Sequence, residues 1–77
     1  MKTRQLASIL LKGYEYKVIY DYTAKTNPFV IYKIWNESTD RGWMKRKRKV
    51  VSYNDYASCF WYLKELAFAN NFERLEG

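Results

Sequence analysis

The chain has 77 residues, room for one domain, with no histidine, one cysteine and a formal net charge of +6. A lone cysteine excludes an internal disulfide framework, and the lack of histidine removes the commonest general base and metal ligand. Aromatic residues make up 19% of the chain, so a core built from few side chains is built from large ones.

Residues 3–12 read as a short helix. Thr3 is placed to cap it, Leu6, Ile9 and Leu10 form an i, i+3, i+4 stripe, and Gly13 is placed to stop it. Residues 14–22 alternate as a strand does. Tyr14, Tyr16, Val18, Tyr20 and Tyr22 share one face, and Glu15, Lys17, Ile19 and Asp21 the other. The tyrosine face serves either as core or as a platform on which bases stack. Asn27-Pro28 marks a turn, and residues 29–36 form a second strand, apolar on both faces as a central strand is. Asn36, Ser38, Asp40 and Gly42 then punctuate a loop from Glu37 to Gly42.

Residues 43–51 read as a third strand at a sheet edge. A two-residue period puts Lys45, Lys47 and Lys49 on one face and Arg46 and Arg48 on the other, and charge on an edge strand discourages edge-to-edge pairing. Ser52-Tyr53-Asn54-Asp55 resembles a capping box that opens a C-terminal helix running to about Ala69. Its apolar stripe is Tyr56, Cys59, Phe60, Leu63, Leu66 and Ala67. Residues 72–77 read as a frayed tail. The expected fold is therefore α+β, one small domain over residues 1–77. Its order is α-β-β-β-α, with a three-stranded antiparallel sheet packed against a C-terminal helix and a short N-terminal helix.

Element order alone is similar to that of double-stranded-RNA-binding domains and of the small DNA-binding domains at the N-terminus of some tyrosine recombinases. The former begin their second helix with lysines, where this chain has Ser52-Tyr53-Asn54-Asp55-Tyr56. No family is assigned on element order.

The charge is the sharpest feature. Arg41, Lys45, Arg46, Lys47, Arg48 and Lys49 lie within nine residues that contain no acid, and the rest of the chain carries eight cations against eight acids. The whole net charge is thus one local patch, and such a patch binds phosphates through charge and counterion release. Trp43 lies inside it, beside the cations. These seven residues are the candidate nucleic-acid contacts, to DNA or RNA. The alternatives are an acidic protein partner that docks on the basic edge by strand addition, an anionic membrane surface, and a plain solvated edge kept soluble by lysine.

Other chemistries find little support. Cys59 has no histidine to activate it and reads as a buried core thiol. The carboxylates are scattered, no metal-ligand cluster is visible, and the glycines form no phosphate loop. The expectation is a non-enzymatic domain without cofactor or metal, accessory or regulatory in role. No stretch approaches the 18 apolar residues of a membrane span, and a single unpaired cysteine suits the cytoplasm.

Overall fold

In the computed structural model, which describes residues 2–76 and the side chains of residues 2–69, the order is β-β-β-β-α. The strands are β1 (Thr3–Leu11), β2 (Tyr14–Asp21), β3 (Phe29–Thr39) and β4 (Gly42–Tyr53), and the helix is α1 (Tyr56–Glu76). The four strands form one antiparallel sheet in the order β1-β2-β3-β4, so β1 and β4 are its edges. The helix expected to end near Ala69 runs on to Glu76, so residues 72–76, expected as a frayed tail, have helical backbone, and Gly77 lies outside the described residues.

The expected N-terminal helix is a strand, and the sheet has four strands rather than three. The reason lies at Lys12-Gly13. Both residues have positive φ, 50° and 83°, and Leu11 pairs with Tyr14 across them. Two central residues with positive φ make the tight hairpin turn whose twist matches paired strands. Gly13 therefore closes a hairpin instead of stopping a helix. Within nine residues the apolar pattern fits both periods. Ala7, Ile9 and Leu11 alternate toward the core, and a helix that short gains too little from propagation to compete with eight rungs of pairing to β2. The α-β-β-β-α order that resembled double-stranded-RNA-binding domains goes with the helix.

Two more boundaries move. The segment read as a loop over residues 37–42 is mostly strand, with Ser38 paired to Trp43 and Thr39 to Gly42 around Asp40-Arg41. The Thr39 hydroxyl fixes this turn, donating to the Gly42 carbonyl at 2.7 Å and accepting from the Arg41 N–H at 3.3 Å. Ser52 lies inside β4, and the helix cap is Asp55. Its carboxylate accepts from the Ser58 N–H at 2.8 Å and the Ser58 hydroxyl at 3.2 Å, satisfying a donor that the first helical turn leaves unpaired.

Helix α1 covers one face of the sheet. The buried core there is Tyr16, Val18, Ile31, Cys59 and Leu63, with Ala7, Ile9, Leu11, Phe29, Val50, Val51, Tyr53, Tyr62 and Leu66 packed around it. Ile31 and Cys59 have no exposed surface. The tyrosine face of β2 lies on this side. Tyr16 is buried, Tyr20 packs edge-on against Phe29 and Tyr22, and Tyr14 and Tyr22 reach solvent. The helical stripe is narrower than its sequence suggests, since Tyr56 and Phe60 are exposed. The opposite face of the sheet has no helix over it.

Leu63 and Cys59 are the described helix residues buried against the sheet, and Leu63 is the larger. Leu63→Ala is expected to cost about 2–5 kcal/mol, read from urea unfolding, while exposed Lys64→Ala changes stability little. At the hairpin, Gly13→Ala is expected to cost about 1–2 kcal/mol, because a side chain disfavours the left-handed backbone there. Equal midpoints for Leu63→Ala and the parent would contradict the packing described.

Candidate nucleic-acid interface

The geometry of the basic segment is set by one irregularity. Ile31 pairs with Val51, but the next residue, Tyr32, pairs with Lys49, so Val50 is an extra residue in β4. Such a bulge leaves two residues of one strand opposite one of its neighbour. Val50 and Val51 accordingly both pack against the core. Because side chains alternate along a strand, the extra residue reverses the faces of everything before it. Lys45, Lys47 and Lys49 come to lie on the open face, opposite Asn36, Ile34 and Tyr32. Arg46 and Arg48 lie on the helix side, opposite Trp35 and Lys33.

Each of the seven sequence-predicted residues is exposed. Arg41 to Lys49 form an unbroken exposed stretch, and Trp43 is 77% exposed at the far end of the strand. The structure does bring the cations together along one edge, but it divides them between two faces. On the open face, Lys17 of β2 extends the lysine row across Tyr32, with which it pairs. The Lys47 ammonium sits 4.3 Å from the centre of the Tyr32 ring, held over the ring's negative face. Beneath these groups, Val30 and Ile34 are buried in mid-sheet, so the open face has an apolar floor and a cationic border.

The helix side holds a second cationic group. Lys33 and Arg48 face each other directly across the β3–β4 ladder, an arrangement of like charges that costs stability unless an anion or a ring relieves it. The Lys33 ammonium lies 4.0 Å over the Tyr14 ring and 5.9 Å from Trp35, and those two rings meet edge to face. Lys33 and Arg48 line a hollow of about 220 Å³ with Tyr16, Val50 and Tyr62, and Lys49, next to the bulge, reaches its rim. Arg46 is held by Glu37 at 2.7 Å, with both side chains about half exposed, and a pair so exposed is worth roughly 0–1 kcal/mol and yields easily to a competing anion.

Sequence reasoning missed Lys17, Lys33 and Tyr32 as neighbours of the patch. Their signal was present in the alternation of β2 and β3 but needed the pairing register to be read. Among the described residues no group of three or more histidine, cysteine, aspartate or glutamate side chains gathers as a metal site would. None of the described helices is long and apolar enough to cross a membrane. Cys59 is buried against β3, its thiol 3.9 Å from the Phe29 carbonyl, and burial first and the Asp55 charge second push its pKa above the ordinary thiol range.

The chain matches no protein-family model, no curated protein and no solved structure.

A buried thiol that keeps its proton reacts slowly. A disulfide reagent at pH 8 is expected to label Cys59 slowly in the native protein and fully in guanidinium, and fast native labelling would contradict its burial. The folded state also holds this proton more tightly than the unfolded state. Its contribution to stability is therefore full below the unfolded thiol pKa of about 8.5 and is lost as pH rises from there through the folded value. Cys59→Ala is expected to flatten the alkaline limb of a stability-against-pH curve.

Proposed function

We propose that this domain binds nucleic acid without catalysing a reaction on it, holding phosphates through the basic strand β4. The observation that carries this reading is the placement of six cations, the equal of the chain's whole net charge, in an exposed run along one sheet edge. Arg41, Lys45, Arg46, Lys47, Arg48 and Lys49 would contact phosphates, and Trp43 would pack beside them. Phosphate contacts fix position and orientation and supply affinity through counterion release. A role as an accessory or regulatory protein fits a domain of this size whose charge serves one surface. One buried, unpaired thiol fits a reducing compartment such as the cytoplasm.

A second reading rests on the outer backbone edge of β4, which no other strand of the sheet pairs. An acidic segment of another protein would add there as a fifth strand, its carboxylates meeting the cations. The two readings differ in what they use. Phosphate binding needs the ammonium and guanidinium groups, whereas strand addition also needs backbone N–H and C=O groups along the edge.

If three to five cations contact B-DNA phosphates, the slope of log K against log salt is expected at roughly −3 to −4.5, measured by fluorescence anisotropy. Replacing Lys45, Lys47 and Lys49 together with Gln is expected to flatten that slope while leaving the circular dichroism spectrum unchanged, since all three are exposed. Absence of binding to DNA and RNA at low salt would end the proposal. Protection of alternate β4 amides from hydrogen exchange by an acidic peptide would favour the second reading.

A further inference from the structure

We infer that the nucleic acid is duplex DNA and that the free end of the β3–β4 hairpin lies in its major groove. This rests on the phosphate-binding reading and adds the form of the ligand and the part of the protein that reads it. Pairing between β2 and β3 ends at the rung Glu15–Ile34, but β3 and β4 continue for five more rungs, from Trp35–Arg46 to Thr39–Gly42. Trp35 still meets Tyr14 of β2, so the free two-stranded ribbon is the four rungs from Asn36–Lys45 to Thr39–Gly42, projecting about 14 Å at 3.4 Å per residue. Its residues from Asn36 onward are exposed, apart from half-buried Thr39.

The size and surface of this ribbon suit a groove. Two strands lie about 4.8 Å apart, and a ribbon with side chains on both faces enters a major groove about 12 Å wide and 8.5 Å deep but not a minor groove about 6 Å wide. The open face of the ribbon carries Asn36, Ser38, Trp43 and Lys45. These supply donors, acceptors and an apolar surface of the kinds that meet base edges and the thymine methyl. Lys47 and Lys49 continue the same face at the base of the ribbon, where the groove's phosphate walls would lie.

Ring spacing argues against a single strand. Single-stranded nucleic acid is held by rings on which successive bases stack. On the open face the ring of Tyr32 lies beside Lys49 and is capped by Lys47, while Trp43 lies six residues further along β4, about 20 Å away. Successive bases are spaced about 3.4 Å apart. Tyr14 and Trp35 face the other way, against each other and Lys33. The described side chains on the two faces of the sheet therefore offer a strand of bases no ladder beside the basic strand.

The test uses the full chain and three probes of one sequence: a DNA duplex of about two helical turns, the RNA duplex, and a DNA single strand, all at one salt concentration. A-form RNA has a deep, narrow major groove that side chains do not read, so it presents phosphates without the site proposed. The DNA duplex is expected to bind at least tenfold more tightly than either other probe. The double variant Asn36→Ala/Trp43→Ala, at two exposed positions, is expected to bring the DNA duplex within about twofold of the RNA duplex. It removes no cation, so the salt slope should stay as in the parent. Equal or tighter binding of the single strand or the RNA duplex would overturn the groove inference and leave phosphate binding standing. A double variant that keeps the tenfold preference would also overturn it. Failure of all three probes to bind at low salt would overturn both.

Discussion

The ladder between β3 and β4 carries both the core and the charge, and it does so on either side of one extra residue. On the side toward Tyr53, Ile31 is fully buried opposite Val51 and joins the cluster with Val18, Cys59 and Leu63. On the side toward Gly42, the same two strands pass buried Ile34 and run out from Asn36 as a ribbon wet on both faces. The bulge at Val50 lets both regimes coexist. Without it, the two-residue period would turn Lys45, Lys47 and Lys49 toward the helix side and Arg46 and Arg48 toward the open face. With it, two consecutive valines serve the core and three lysines line the uncovered face. One inserted residue thus decides which cations share a surface with Lys17 and Tyr32.

Much of the fold was readable where local pattern and tertiary demand agree. The alternation of Tyr14 to Asp21, the doubly apolar run from Phe29 to Trp35 and the periodicity after Tyr56 each had one reasonable interpretation. The first nine residues did not. Leu6, Ile9 and Leu10 satisfy a helix, while Ala7, Ile9 and Leu11 satisfy a strand. What settles the matter is a pair of positive φ angles at Lys12 and Gly13, a property of the turn rather than of the segment. Polar turn formers misled for a related reason. Asn36, Ser38 and Asp40 discourage a strand that must bury a face, but a ribbon surrounded by water exacts no such penalty.

The site was legible as a list and not as an arrangement. Six clustered cations are visible in any reading of residues 41–49, and their alternation follows from period two. Their division between faces depended on the register across a bulge, which no local pattern reports. The same holds for Lys33. It looks like an ordinary strand lysine until pairing sets it opposite Arg48 and folding lays it over Tyr14. Cap assignment shows the limit at one residue's scale. Ser52 and Asp55 are both good caps in isolation, and β4 keeps Ser52 because its partner Val30 extends the ladder that far.

The outer flank of α1 gives the patch a further physical role. Phe60, Trp61 and Phe68 are more than half exposed there, an apolar surface that invites like molecules to adhere. Against this stands mutual repulsion from a net charge of +6, felt over a screening distance of only about 8 Å at physiological ionic strength. Colloidal stability therefore depends on the same charges that would meet phosphate. A polyanion that neutralises β4 removes the repulsion and raises the local concentration of copies at once. A flank kept apart by charge in the free domain would become adhesive once a polyanion covered β4, and occupancy of the patch would then govern how copies crowd along a shared polymer.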